Sequence, residues 1–338
     1  MKLFKRGTAL LLTLLLSLSL LTACGEKPAP APETPAAPAE EPVTLRVAAL
    51  KGPTTMGLVK LMSDSEGGDK AFGDYQFTIA ASADELTPLL MKGELDMACV
   101  PANLAAVLSQ KTEGKIVTLA VNTLGVLYVM EKGDTVQSMA DLKGKTIVAA
   151  GKGSTPEYAL RYLLTENGID PDKDVTIDWK SEHAECVAAL ASGAATIALL
   201  PQPFVTVAGA KIPELRMALD LTQEWDALKN GSSLLTGVVV ARREIAEKYP
   251  VATDLFLQGY GASVDWVNAN VTDAAKLIGD YGIVDAAVAE KALPFCNIVC
   301  ITGSEMKTAL SGYLQVLFEQ NPQSVGGAVP AEDFYYGA

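Results

Sequence analysis

Hydroxyls, amides and lysines gather at a few glycine turns in this sequence. They suit one kind of chemistry, the hydrogen bonding of a small polar group. The clearest case lies in Thr146–Leu164, TIVAAGKGSTPEYALRYLL. A short apolar run, Ile147–Ala150, stops at Gly151, and helical patterning resumes after Ser154. Strand, glycine turn and helix start, in that order, aim backbone N–H groups at a ligand. Ser154 followed by Glu157 fits a capping box, with Pro156 in the first helical turn. On that pattern alone, Ser154 need do no more than cap its own helix.

The chain repeats the pattern about a hundred residues earlier. Val47–Thr54 reads VAALKGPT and Val148–Thr155 reads VAAGKGST, with six of eight positions identical. Downstream, Met97–Leu104 (MACVPANL) and Ile197–Phe204 (IALLPQPF) each run an apolar stretch into a proline, and each follows a helical segment ending at glycine, Gly93 or Gly193. A constant offset of this kind indicates two similar α/β lobes that present matching loops to a cleft between them.

In open α/β sheets, ligands sit beyond the carboxyl ends of the strands. Here those ends offer Lys51, Thr54, Thr55, Asn103, Asn122, Thr123, Lys152, Ser154, Thr155 and Gln202, with Ser232 and Ser233 just before a late extended run. Neutral donors and helix N-termini suit a small polar or anionic group. Lys51 and Lys152 hold equivalent places, and both in the cleft would make it electropositive; as surface lysines beside a turn they do nothing special. Asn103 fits a helix N-cap equally well, and Phe204 either stacks on a flat ligand or packs under its loop.

These loops need a scaffold, and the body reads as alternating strands and helices. The first series is Leu45–Leu50, Thr55–Met62, Tyr75–Ala80, Ala83–Lys92, Met97–Val100 and Asn103–Ser109. The second is Thr146–Ala150, Glu157–Asn167, Val175–Trp179, Ala184–Ser192 and Thr196–Leu200, and Arg242–Gln320 is mostly helical. Such alternation implies parallel sheets covered by helices. Two extended runs, Ile116–Met130 and Leu234–Ala241, read as crossover strands, which places lobe 1 in residues 43–126 and 237–338 and lobe 2 in residues 127–236. Two connecting strands make a hinge.

The first 23 residues set Lys2, Lys5 and Arg6 before an apolar run that ends in Leu-Thr-Ala-Cys at Cys24. This has the form of a secretory signal whose cysteine is lipidated. Residues 24–42, rich in Pro, Ala and Glu, read as an extended tether from membrane to folded body. Removal of residues 1–23 deletes three cations and no acid, which takes the formal charge from −13 to −16. That balance argues against nucleic acid as a partner.

Catalytic and metal signatures are scarce. The single histidine, His183, lies three residues before Cys186, too few ligands for a metal site. There is no phosphate-binding G-x-x-x-x-G-K-[ST] loop and no G-x-S-x-G elbow, so no cofactor and no enzymatic activity are expected. Cys296 and Cys300 would need a turn between them to form a disulfide, and the spacing leaves their pairing open.

The Leu-Thr-Ala-Cys box, MKGELDMACVPANLAAVL at Met91–Leu108, SMADLKGKTIVAAGKGSTPEYALRYLLTENGID at Ser138–Asp170 and LPQPF at Leu200–Phe204 carry a resemblance. The sequence resembles substrate-binding lipoproteins of ABC importers, in the group that binds nitrate, taurine, alkanesulfonates or thiamine-pyrimidine precursors. The resemblance implies a type II periplasmic-binding-protein fold of two Rossmann-like lobes. It further implies a monomer on the outer face of the cell membrane, passing a sulfonate, a nitrate-like anion or a compact heterocycle to a permease driven by a separate ATPase. Two alternatives share the fold. One is a tethered sensory or scaffold lipoprotein. The other is an enzyme similar to pyrimidine-precursor synthases, which rely on histidine and a cysteine-rich motif that this chain lacks.

Overall fold

The computed structural model describes residues 41–338. The signal segment, Cys24 and nearly all of the tether lie outside the described residues. The chain begins with β1 (Thr44–Leu50), α1 (Pro53–Met56), α2 (Val59–Glu66), β2 (Asp74–Ala80), α3 (Ala83–Met91), β3 (Met97–Pro101), α4 (Ala102–Lys111) and β4 (Ile116–Leu124). There follow β5 (Leu127–Lys132), β6 (Thr146–Ala150), α5 (Thr155–Glu166), β7 (Thr176–Lys180), α6 (His183–Ser192), β8 (Ile197–Pro201), α7 (Phe204–Lys211), β9 (Leu215–Asp220) and α8 (Leu221–Ala227). The last part comprises β10 (Leu235–Arg242), α9 (Arg243–Lys248), α10 (Pro250–Ala269), α11 (Val271–Asp280), α12 (Ala286–Ala292), β11 (Ile298–Ile301) and α13 (Gly303–Gln320).

Two sheets result, one of six strands ordered β11-β4-β10-β3-β1-β2 and one of five ordered β7-β6-β8-β5-β9. The central strands are buried on both faces, which is why β3, β4, β6 and β8 read as unbroken apolar runs rather than as alternation. Helices cover both faces of each sheet, giving two α/β lobes.

The sheets are mixed, not purely parallel as the alternation implied. β10 runs antiparallel to β3 and β4, and β5 antiparallel to β8 and β9. The cause is the path of the chain. The strands that carry the candidate loops end at the side facing the other lobe, so a strand arriving from that lobe enters there and runs the opposite way. Leu127, the first residue of β5, accordingly pairs with Pro201, the last of β8, and Gly237 of β10 pairs with Pro101 of β3.

Three other local readings change. The helix expected over Thr55–Met62 is broken in two, because Ser263 of α10 takes over a helical bond. Its Oγ donates to the Gly57 carbonyl at 2.6 Å and accepts from the Leu61 N–H at 3.2 Å. β9 and β11, both edge strands, lack an apolar run long enough to announce them. The extended run read over Ile116–Met130 is divided at Gly125 and Val126 into β4 and β5, while the run at Leu234–Ala241 forms β10 as one strand.

One apolar cluster joins the lobes. It runs from Ala48 and Val100 of the first sheet through Leu160 and Trp225 to Tyr313 and Leu314 of α13. A second cluster lies between the first sheet and α10–α11, and a third between the second sheet and α6–α7. At the edge of lobe 1 remote from the loops, the enclosed Asp96 carboxylate accepts from Arg46 Nε at 2.8 Å and from Arg242 Nη2 at 2.9 Å. Burial pushes its pKa up, but the bonds from Arg46 and Arg242 outweigh it and hold the group below the usual carboxylate range.

Candidate functional site

The two glycine turns stand at corresponding places, after β1 and after β6. In the first, the Thr54 and Thr55 hydroxyls both donate back to the Leu50 carbonyl, Thr54 at 2.9 Å. Lys51 is exposed and makes no ion pair among the described residues. In the second, the expected capping box is replaced by a different closure. Ser154 Oγ donates to the Gly151 carbonyl at 2.8 Å, and Glu157 accepts from the Gly153 N–H at 2.6 Å. With Gly151 and Gly153 both at positive φ, the turn brings those groups within reach of each other and leaves no side-chain cap on Thr155. Lys152 is exposed at the tip.

Asn122 and Thr123 end β4 beside Gly237 of β10. All three are buried, and they face Thr54 closely enough that a Cβ at Gly237 would come within 2.4 Å of Asn122 Oδ1 and 2.8 Å of Thr54 Cγ2. Asn122 Oδ1 accepts from the Thr123 hydroxyl at 3.1 Å, while Asn122 Nδ2 is enclosed beside the Cys99 sulfur and makes no hydrogen bond of ordinary geometry. The nearby Cys99 thiol is pushed up to about 12 by burial, and Tyr260 buries a further unpaired polar group, its hydroxyl. Gly237 was missed in the sequence. Its signal was a glycine inside an apolar strand, which marks close approach of another group.

The crossing from β4 to β5 is held on both sides. Asn297 Nδ2 donates to the Gly125 carbonyl at 2.5 Å, and the Leu124 N–H donates to the Asn297 carbonyl at 3.1 Å. Thr236 Oγ1 donates to the Leu124 carbonyl at 2.6 Å, and the Gln202 N–H to the Val126 carbonyl at 3.0 Å. Gly125 has no room for a side chain, since a Cβ there would lie 2.1 Å from Thr222 Oγ1 of α8.

The remaining candidates are engaged within the protein. Asn103 and Thr155 meet each other across the lobes. Gln202 Oε1 accepts from the Thr206 hydroxyl at 2.9 Å. Ser232 Oγ accepts from Trp225 Nε1 at 3.0 Å and donates to Asn230 Oδ1 at 2.9 Å, so it belongs to the packing around Trp225 and offers the cleft no free donor. Phe204 packs against His183, with ring centroids 5.3 Å apart. Cys296 and Cys300 are free thiols; Cys296 donates to the Ala292 carbonyl at 3.3 Å.

His183 Nδ1 is enclosed without a partner although part of the side chain reaches solvent, and burial lowers its pKa from 6.5 to about 4. The unfolded chain therefore takes up a proton near pH 6.5 that the folded chain refuses until near pH 4. Stability due to the neutral ring is complete above pH 6.5 and is lost as the pH falls toward 4. His183→Gln should remove about 1–3 kcal/mol of that acid sensitivity, read from urea unfolding at pH 7 and pH 4.5. Parallel losses in both proteins would show that the ring does not titrate this way.

Residues 73–249 match the family described as "ABC transporter, phosphonate, periplasmic substrate-binding protein". The chain belongs to this family. The match runs from the start of β2 through the whole second lobe to the end of α9, and so includes the paired Gly151–Thr155 turn and both crossings. This substrate-binding protein is similar in fold to an ABC transporter crystal structure from Parabacteroides distasonis, at 24% identity, 86% and 98% coverage of the two chains and a TM-score of 0.72. It is also similar to the aliphatic sulphonate binding protein SsuA of Escherichia coli, at 17% identity, 88% and 92% coverage and 0.69. The nitrate-binding protein NrtA of Synechocystis gives 16% identity, 71% and 66% coverage and 0.55. Comparison with curated proteins gives no match. The family places the protein in ABC import as the solute-binding component, on the extracytoplasmic side. No described helix is long and apolar enough to cross a membrane.

Proposed function

We propose that the substrate-binding protein captures a small anionic solute between its lobes and passes it to the permease without altering it chemically. One observation carries the anionic reading. Asn122 Nδ2, fully enclosed where β4 and β10 meet the Thr54 turn, is a donor with no oxygen acceptor, its neighbour being the weakly accepting Cys99 sulfur. Leaving such a group unpaired costs about 1–3 kcal/mol, which an oxygen of a bound anion would offset. Helix N-termini and the two exposed lysines support the same sign of charge. The similarity to sulphonate- and nitrate-binding folds supports an oxyanion over a heterocycle.

In this reading residues 43–126 with 237–338 form one lobe and residues 127–236 the other. Thr54, Thr55 and Ser154 shape the site through the backbone that their hydroxyls brace, and Thr155 through its bond to Asn103. Cys24 carries the lipid anchor, and the protein works as a monomer.

The test is thermal unfolding of the purified protein, refolded to strip carried-over solute, against nitrate, taurine, alkanesulfonates, phosphonates, thiamine precursors and amino acids. A cognate solute at a hundredfold its Kd should add about 2.7 kcal/mol. A shift given by cationic or neutral solutes, with none from any anion, would overturn the anionic reading.

A further inference from the structure

Asn103 stands at the start of α4 in lobe 1, where the sequence suggested a ligand donor or a helix cap. It is neither. It caps nothing, since Pro101 holds the N-cap position, and its side chain is 1% exposed. Its Nδ2 donates to the Gly153 carbonyl of lobe 2 at 3.3 Å and to the Ser324 carbonyl, just beyond α13, at 3.1 Å. Its Oδ1 accepts from the Thr155 hydroxyl, also of lobe 2, at 3.5 Å. Both amide hydrogens and the carbonyl oxygen are thus engaged, with two of the three bonds crossing between lobes. Tyr313 of α13 places its enclosed hydroxyl beside Thr155 without forming a hydrogen bond of ordinary geometry.

We propose that Asn103 is a latch between the lobes, a positioning residue that holds the Gly151–Thr155 turn over the cleft and contacts no solute. The assignment rests on the solute-binding reading. A side chain with its bonding capacity used on protein groups has nothing left for a ligand, yet those bonds favour the closed arrangement in which a ligand is held. Apparent affinity falls in proportion to the closed fraction. Loss of the latch therefore weakens every solute by one common factor.

The experiment uses two variants. Asn103→Asp sets carboxylate oxygen against the Gly153 and Ser324 carbonyls, and Asn103→Ala removes the bonds without repulsion. Small-angle scattering of the full, solute-free protein should show a larger radius of gyration for Asn103→Asp, with Asn103→Ala between it and the parent. Affinities for two solutes found to bind should fall by about tenfold together, with their ratio preserved. Scattering curves superimposable on the parent's in both folded variants would overturn the latch. A changed ratio between solutes would instead make Asn103 a ligand contact. Because the scattering needs no solute, it tests the latch even if the solute-binding reading fails.

Discussion

Trp225→Ala should lower the unfolding free energy by about 3–5 kcal/mol, as expected for deletion of a large, fully enclosed aromatic side chain. Trp225 is 0% exposed, lies between Tyr162 at 4.7 Å and Tyr313 at 5.5 Å, and donates its indole N–H to Ser232. Tyr162 belongs to α5 and Tyr313 to α13, so the ring closes the seam between helices of opposite lobes. Trp225→Phe, which keeps most of the apolar volume and loses the bond to Ser232, should cost much less. Urea unfolding followed by circular dichroism decides the matter, and a loss under about 1 kcal/mol for the alanine variant would mean that the seam repacks around the gap.

Asn122→Asp should weaken binding of the cognate anion at least about a hundredfold at pH 7. The change replaces a buried, unpartnered donor by an acceptor carrying negative charge, so a favourable bond of about 1.5–3 kcal/mol becomes a repulsion. Asn122→Ala removes the donor without adding charge and should lose about tenfold. Titration calorimetry with the solute found by thermal unfolding supplies the measurement. Affinity for Asn122→Asp within threefold of the parent would exclude Asn122 from the site.

The paired turns were legible because the fold repeats its own loop, and VAALKGPT and VAAGKGST survive as near copies. The destinations of their side chains were not. A threonine after a strand reads the same whether its hydroxyl faces a ligand or, as Thr54 and Thr55 do, the Leu50 carbonyl five residues back or fewer. That choice depends on a rotamer and on neighbours from distant sequence. Asn103 illustrates the distance, since its partners lie at Gly153 and Ser324. The Asp96–Arg46–Arg242 cluster joins three strands whose sequence separation hides it. Likewise the Glu131 carboxylate accepts from Thr135 and Val136 nearby in the chain and from Arg216, a contact that becomes visible only once β5 and β9 pair.

The strand order also constrains how the molecule can assemble as it leaves the ribosome or the export channel. All five strands of the second sheet come from the continuous stretch 127–220, so that sheet can be completed as soon as residue 220 is free. The first sheet cannot. Its β10 lies between β4 and β3, so until residue 242 emerges the strands already made form two fragments with a gap between them. Unpaired edges of that kind invite wrong pairings. The nascent chain therefore finishes its inserted half first and carries an open, apolar-edged first half until the return strand slots in.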